Sequence, residues 1–285
     1  MSQTAVDNAA VPAGEPAPLP NLQAIAWLAW YSMREMARRR RLIALLAINM
    51  LPVLVVAIVR IWYPGGAITA QLQLTGLTHE AIIPFLVPIV AMFVGVSAIG
   101  EQVEEGTIVY AWTRPVRRRA IYLGRLLAAQ GVAAATLSLS LVLCFMIMVS
   151  EGFGVITWEF LKLYLGTFAI IVLGAFAYTA VFAAMGTHFR KPVVPAIVFA
   201  FGWENMVSNV PARVQEMSLR FHLQNLVDKP DATTSDLPGV LAALLTAAVH
   251  RDPVPRLQSV AVLVLVSLAA AALGVWLLKR KEIEK

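Results

Sequence analysis

The sequence predicts an all-α integral membrane protein, and three observations lead to this fold class. Apolar residues make up 59% of the 285 residues and charged residues only 14%, whereas soluble domains average roughly 45–50% apolar and about 25% charged. Six apolar stretches have lengths that suit membrane-spanning helices, which need about 20 residues each. Basic residues concentrate in alternate connections between these stretches. The composition excludes a disordered chain, a disulfide-rich scaffold and an ordinary cytosolic enzyme.

The chain before the first apolar stretch divides into two parts. Residues 1–20 are rich in Ala and Pro and are predicted to form a disordered cytoplasmic tail. Residues 21–37 repeat apolar side chains at helical spacing, which predicts an amphipathic helix lying in the membrane surface. The alternative is that they form an early turn of the first span. The predicted apolar stripe consists of Leu22, Ile25, Ala29, Met33 and Met36.

The apolar stretches predict six transmembrane helices with a long outer loop before the last one. The fifth stretch is the weakest because Gly202, Trp203 and Glu204 interrupt it. A further apolar stretch, 239–249, is too short to cross a bilayer and is predicted to be re-entrant or interfacial. The predicted spans are about 42–59, 81–100, 126–149, 163–185, 193–210 and 257–278.

The outer loop, residues 211–256, begins with a helical pattern. Arg213, Glu216 and Arg220 recur on one face, and apolar residues lie broadly opposite. This pattern predicts a second surface helix. An accessory protein on the outer side would bind this loop, although the sequence identifies none.

The basic residues orient the six spans. Sixteen of the 23 Lys and Arg residues fall before the first span, in the second and fourth connections, or after the sixth span. Connections rich in Lys and Arg stay in the cytoplasm, so both termini are predicted to be cytoplasmic. The protein is then a multi-pass protein of the inner (plasma) membrane. The net charge of +6 is an orientation signal, and nucleic acid is not a predicted partner.

The connection between spans two and three has the most informative pattern. Glu101, Glu104 and Glu105 cluster where span two leaves the bilayer. Gly106 can end the helix, and Thr107 can cap a new one. The pattern predicts a short helix on the cytoplasmic face, with acidic residues at one end and basic residues at the other. The alternative interpretation is a charged loop that only fixes the topology.

This connection resembles the cytoplasmic loop of a known family. Glu104-Glu105-Gly106-Thr107, Thr113-Arg114-Pro115-Val116-Arg117-Arg118 and Gly124-Arg125-Leu126-Leu127-Ala128 are similar to E-x-G-T, P-v-s-R and G-K-l-l-a. These motifs are those of the permeases of type-2 ATP-binding-cassette (ABC) exporters. Arg117 or Arg118 stands near the family Ser-Arg, and Arg125 replaces the more usual lysine. The N-terminal (elbow) helix, six spans and long outer loop extend the resemblance over residues 21–285, as one transmembrane domain.

The resemblance implies a mechanism and partners. In that family the loop forms a coupling helix that binds a cytosolic ATPase subunit, and two permease chains join two ATPase subunits. ATP and Mg²⁺ bind to the ATPase subunits, so no cofactor is expected on this chain. The family moves drugs, lipids, polysaccharides, ions and peptides, and the sequence selects none of them. The coupling residues implied here are Glu101, Glu104, Glu105, Gly106, Thr107 and Arg114.

A charged residue inside a span is a functional candidate, because its insertion near the bilayer centre costs about 2.5–3.5 kcal/mol. Glu204, with Asn205 and Asn49, is therefore predicted to lie on a substrate path. One alternative is that Glu204 only pairs with Asn49 or Asn205. Another is that span five ends early and leaves Glu204 among the outer headgroups. Pro84 and Pro88 are expected to distort span two.

No catalytic or metal-binding residues are predicted. His79-Glu80 lacks the second histidine of a zinc motif, and no phosphate-binding loop for ATP occurs. The leading function is therefore a permease that exports substrate, working as a homodimer with a separate ATPase. The alternatives are a membrane anchor or mechanical subunit coupled to an ATPase without transport, and an ion-driven secondary transporter. An intramembrane enzyme is disfavoured because no nucleophile or metal cluster is evident.

Overall fold

The computed structural model describes residues 21–38, 40–62, 70–104, 118–150, 157–189, 191–209, 213–227 and 254–280, and every regular element among them is helical. Three predictions lie outside these residues. They are the tail 1–20, the re-entrant stretch 239–249, and the centre of the cytoplasmic connection, 105–117.

Ten α-helices make up most of the described residues. Two π-helical stretches, Thr78–Leu86 and Val198–Trp203, continue α3 into α4 and α7 into α8, and a 3₁₀ turn at Arg213–Met217 precedes α9. The helices are α1 (Asn21–Arg38), α2 (Arg40–Trp62), α3 (Ala70–Leu77), α4 (Val87–Glu104), α5 (Arg118–Val149), α6 (Trp158–His188), α7 (Val193–Ile197), α8 (Glu204–Asn209), α9 (Leu219–Leu226) and α10 (Arg256–Arg280).

Five helical segments within the described residues are long and apolar enough to cross a membrane. Each contains one of the predicted spans completely. The remaining predicted span, 193–210, corresponds to the shorter apolar helix Val193–Ser208. The five segments are Leu42–Trp62, Ala70–Gly100, Arg119–Val149, Trp158–His188 and Arg256–Leu278.

The second segment is longer than the sequence predicted, because it begins at Ala70 rather than at 81. Its first turns contain polar residues, which interrupt the apolar pattern. These residues are buried and partnered: Gln73 Nε2 donates to the carbonyl of Val56 at 3.3 Å, and Thr78 Oγ1 donates to the carbonyl of Leu74 at 2.7 Å. Buried polar groups with hydrogen-bond partners fit inside a bundle, so the helix continues through them.

The centre of the bundle is the pair formed by α4 and α6. In the most apolar part of the segment that contains α4, 78% of the residues are buried, whereas in that of α10 only 17% are buried. Gly95 permits this close packing, because a Cβ there would lie 2.9 Å from the Cβ of Phe182 and 2.9 Å from the carbonyl oxygen of Thr179. Small residues bring membrane helices together in this way. The segments at the periphery, α2 and α10, keep large apolar side chains exposed, as a bilayer requires.

Span two contains the distortion that its prolines predicted. The π-helical stretch Thr78–Leu86 includes Pro84, which has no N–H to donate to the preceding turn. A π-helical turn is a common response to such an interruption. The distortion therefore separates α3 from α4.

The N-terminal helix α1 packs along α5 instead of standing apart from the bundle. Gly124 of α5 lies so close to α1 that an added Cβ would approach the Cβ of Leu28 at 2.8 Å and the carbonyl oxygen of Ile25 at 3.1 Å. Most of the predicted stripe lies on this packed face, since four of its five residues are partly buried. Leu22, in the first turn, is 82% exposed, and the buried face also includes Ser32. The aromatic residues Trp27, Trp30 and Tyr31 are exposed on the other side.

The prediction of one surface helix at the start of the outer loop is wrong, because the segment is divided into two helical parts and the second part is buried. The chain changes from a 3₁₀ turn to α9 at Ser218, whose hydroxyl accepts from the N–H of Phe221 at 3.2 Å and caps the helix. α9 then enters the bundle, and its Leu223 is completely buried. An added Cβ at Gly174 of α6 would lie 2.8 Å from Leu223, so α9 packs directly against span four.

Candidate functional sites

The acidic residues of the cytoplasmic connection begin inside a helix. Glu101 and Glu104 fall in the last turn of α4, and no basic residue occurs in that turn. The C-terminus of a helix carries partial negative charge, so each acid there is disfavoured by about 0.3–1 kcal/mol. Glu105, Gly106, Thr107 and Arg114 lie outside the described residues. An acidic helix end of this kind is favourable only where positive charge approaches it.

The base of this connection is tightly packed. An added Cβ at Gly100 would lie 3.0 Å from Cγ of Pro192 and 3.5 Å from the Cα of Gly186. Gly186 is close to the end of α6, and Pro192 immediately precedes α7. The last turns of α4 are therefore fixed against spans four and five, and a displacement of the connection acts on the bundle itself.

Arg125, close to this end of α4, has contacts that the sequence did not predict. Its Nη1 donates to the carbonyl of Ala98 on α4 at 3.0 Å, and its Nη2 lies 3.6 Å from Oε2 of Glu35 on α1. The side chain is 13% exposed. The motif Gly124-Arg125-Leu126 marked the position, but only as a replacement for lysine. Its partners are distant in sequence, so the motif did not indicate them.

Glu204 lies at the other end of the bundle and is 2% exposed. Its carboxylate accepts three hydrogen bonds, from Ser218 Oγ at 2.6 Å, from the N–H of Arg220 at 3.1 Å and from the N–H of Leu219 at 3.3 Å. The two backbone donors belong to the first turn of α9. A carboxylate at a helix N-terminus offsets the partial positive charge and satisfies amides that have no partner within the helix.

Asn205 is joined to the same group through Arg220. Nη1 of Arg220 donates to Oδ1 of Asn205. Burial lowers the pKa of the Arg220 guanidinium, while the nearby Glu80, Tyr178 and Glu204 raise it. Arginine remains protonated because its ordinary pKa exceeds about 12. Glu204 and Asn205 thus hold α9 at two neighbouring points.

Asn49 belongs to a different part of the structure. It is completely buried on α2. Its side-chain Nδ2 donates to the carbonyl of Leu45 at 2.8 Å, and its backbone carbonyl accepts from the hydroxyl of Ser140 of α5 at 2.6 Å. The structure therefore brings Glu204 and Asn205 together but not Asn49. The three hydrogen-bond donors to Glu204 belong to residues 218–220, a set that the sequence did not suggest.

The other contacts of α9 reach two further helical elements. Gln224 Nε2 donates to the carbonyl of His79, in the π-helical stretch of span two, at 2.9 Å. Asn225 Nδ2 donates to the carbonyl of Val254 at 2.7 Å and to Ser259 Oγ of α10 at 3.0 Å. His222 also contacts Ser259, at 3.2 Å. The short helix α9 is thus bonded to spans two and six as well as to Glu204 and Asn205.

An open apolar groove of about 660 Å³ runs between α6 and α10. Neither Glu204 nor Asn49 lines it. Among the described residues, no group of three or more His, Cys, Asp or Glu side chains could hold a metal ion. The groove is lined mainly by Val181, Met185, Val266, Ala269 and Leu273.

A comparison with protein-family models matches more than half of the chain to a known family. The model described as "ABC-2 family transporter protein" matches residues 36–203. The matched region begins near the end of α1, includes Asn49 and the whole cytoplasmic connection, and stops one residue before Glu204. No curated protein matches the chain significantly.

Proposed function

Because this chain belongs to the ABC-2 family of transporter proteins, as a membrane permease, we propose that it exports substrate using ATP hydrolysed by a separate cytosolic ATPase. The working unit in this proposal contains two copies of this chain and two ATPase subunits. ATP and Mg²⁺ would be held by the ATPase subunits. The permease would be embedded in the inner (plasma) membrane.

One observation carries the proposal of ATPase coupling. The acids Glu101 and Glu104 are placed at the end of α4 where the helix dipole disfavours them. A basic groove on a partner would remove this penalty and form charge-assisted hydrogen bonds with the carboxylates. The packing of Gly100 against Gly186 and Pro192 supports transmission of force from the connection to spans four and five. We include Glu105, Gly106, Thr107 and Arg114 in the coupling segment by the family resemblance.

A topology with six spans is part of the proposal. Val193–Ser208 is shorter than the other apolar helices, its π-helical stretch occupies its middle, and the buried Glu204 follows that stretch. With this helix as span five, both termini lie on the cytoplasmic side, together with most of the Lys and Arg residues. The elbow role of α1 and the coupling helix belong to the same proposal.

Charge reversal tests the coupling segment. We expect Glu104→Lys with Glu105→Lys to weaken co-purification with the ATPase encoded nearby by at least about tenfold, equivalent to about 1.4 kcal/mol, because like charges then face each other. The permease-dependent increase in ATP hydrolysis should fall in parallel. Glu159→Lys is the matched control, because Glu159 is an exposed acid at the opposite end of the bundle. Unchanged association of the double variant would contradict ATPase binding at this segment.

Transport requires a separate measurement, since a membrane anchor would bind the ATPase through the same residues. Reconstituted vesicles containing the permease and the ATPase should move a member of the transported class in an ATP-dependent manner. ATP hydrolysis without movement of any of the lipid, drug, peptide, ion or polysaccharide candidates would favour the anchor. The substrate path through Glu204, Asn205 and Asn49 stays a prediction. A Glu204→Gln variant that is expressed and transports normally would exclude Glu204 from that path.

A further inference from the structure

Arg125 lies where three helices meet at the cytoplasmic end. Nη1 donates to the carbonyl of Ala98 of α4 at 3.0 Å, and Nη2 lies 3.6 Å from the carboxylate of Glu35 of α1. The residue itself belongs to α5. One guanidinium therefore contacts the helix that precedes the coupling segment, the helix that follows it, and the interfacial helix.

The helices around Arg125 pack in two pairs, and Arg125 connects them. Gly124, adjacent to Arg125, brings α1 against α5 through Leu28 and Ile25. Two turns later, an added Cβ at Gly131 would lie 3.2 Å from Sδ of Met33 on α1. α4 is packed on α6, through Gly95 and Gly186, and it also contacts α5. Arg125 thus connects a helix pair that includes α1 to a helix pair that includes α4.

We propose that Arg125 is a positioning residue that ties α1 to the cytoplasmic end of α4, so that movement of the coupling segment also displaces the interfacial helix. The inference rests on the proposed function for the source of the movement. Arginine suits this place because its planar group presents several donors in fixed directions, whereas lysine presents one compact charge. With 13% exposure of the Arg125 side chain, solvent screens the contact less than it would at an open surface.

Spin-label distances test the tie directly. Cys144 is the only cysteine, so a Cys144→Ala background allows labels at Gln23→Cys on α1 and Phe93→Cys on α4, both exposed positions. Mixing labelled with excess unlabelled permease ensures that the measured distance joins two labels of the same chain and not labels of two chains in a dimer. We expect a narrow distance distribution in the otherwise unchanged permease and a clearly broader one in Arg125→Met, both without the ATPase. Arg119→Met, an exposed residue of the same helix, should leave the distribution narrow.

Measurements with the ATPase test the functional consequence. We expect Arg125→Met to bind the ATPase normally and to lose roughly fivefold or more of the permease-dependent increase in ATP hydrolysis, the size of a typical coupling effect. Arg125→Lys should recover part of the loss because it keeps the charge. If Arg125→Met does not fold, Glu35→Gln removes the ion pair alone and is judged by the same two measurements.

The outcomes separate the tie from the function on which it rests. A distribution and a stimulation in the Arg125→Met permease equal to those of the unchanged chain would overturn the inference. Weakened ATPase binding in Arg125→Met, with an unaltered distance, would also overturn it, because the residue would then act at the partner surface. Failure of any ATPase to associate would contradict the proposed function, but the distances measured on the permease alone would still decide whether Arg125 holds α1 to α4.

Discussion

At the scale of single residues, Glu204 shows how this protein accommodates an acid inside an apolar bundle. Three donors converge on its carboxylate, and two of them are backbone amides at the start of α9. Burying an unpaired charge would be very costly, and these hydrogen bonds together with the helix dipole offset the cost. The start of α9 is consequently held by this side chain of α8, in addition to the contacts that α9 makes elsewhere.

We expect Glu204→Ala to release α9 from the bundle. Loss of the carboxylate leaves the hydroxyl of Ser218 and the first amides of α9 without their acceptor, which costs about 1–3 kcal/mol for a buried group. In the Cys144→Ala background, a cysteine at the buried position Leu223 should react faster with a water-soluble maleimide when Glu204 is replaced.

Met217→Cys provides the control for this experiment, because Met217 is already 70% exposed and its labelling should not change. The role of Glu204 in holding α9 would be contradicted by equal labelling of Leu223→Cys in both backgrounds. The same variant also helps to interpret transport measurements, since a loss of transport with intact protection of Leu223 points to the substrate path.

The sequence could identify Glu204 as unusual but could not identify its partners. The cost of a charge in a span can be read from one position, whereas the donors are 14–16 residues away and two of them are backbone groups that no residue pattern reveals. Arg125 was missed for the same reason, because its significance depends on Ala98 and Glu35. Asn49 was grouped with Glu204 by polarity alone, and the two have different neighbours.

At the scale of helices, the α4–α6 pair depends on the absence of side chains at particular positions. The added Cβ at Gly95 would be 2.9 Å from both Phe182 and the backbone of Thr179, so backbone atoms would have to move. Gly166 lies on the same helix as Thr179, yet an added Cβ there meets nothing within 4 Å. The two glycines therefore provide a matched comparison.

We expect Gly95→Ala to destabilise the protein by about 1–3 kcal/mol, the usual cost of overpacking. Gly166→Ala should be neutral or slightly stabilising, because alanine is favoured over glycine in a helix by up to about 1 kcal/mol. Thermal unfolding of both variants in the same detergent measures the difference. A Gly95→Ala variant as stable as Gly166→Ala would contradict the close packing of α4 on α6.

The sequence predicted the helical elements better than their ends and faces. The length of the apolar stretches located the five long segments, but polar residues such as Gln73 concealed the first turns of span two. The N-terminal helix was placed correctly along the chain, and most of its predicted stripe packs on the helix that contains Gly124 and Gly131. Leu22, at the start of that helix, is exposed instead. The outer helix was predicted from its charged face, and the break at Ser218 was not foreseen.

At the scale of the whole molecule, the distribution of charge leads to a topology that can be measured. We expect cysteines at Val214 and Leu257 to be labelled from outside intact cells in the Cys144→Ala background. Cysteines at Arg119 and Arg280 should react only after the cells are opened, because connections rich in Lys and Arg remain in the cytoplasm. All four positions are exposed. Labelling of Arg280→Cys from outside, with Arg119→Cys still protected, would contradict the crossing of Val193–Ser208.

The π-helical stretch Thr78–Leu86 has a consequence for how span two can turn. Each residue inserted into an α-helix rotates the side chains that follow it by about 100° around the helix axis, relative to those that precede it. The stretch is therefore a place where α3 and α4 can rotate relative to each other. Hydrogen bonds in the stretch can shift from i+5 to i+4 partners along the chain and absorb torsion there. A rotation applied at Glu104 would then end at the π-helical stretch. The hydrogen bond from Gln224 to the carbonyl of His79 would stay in place while α4 rotates.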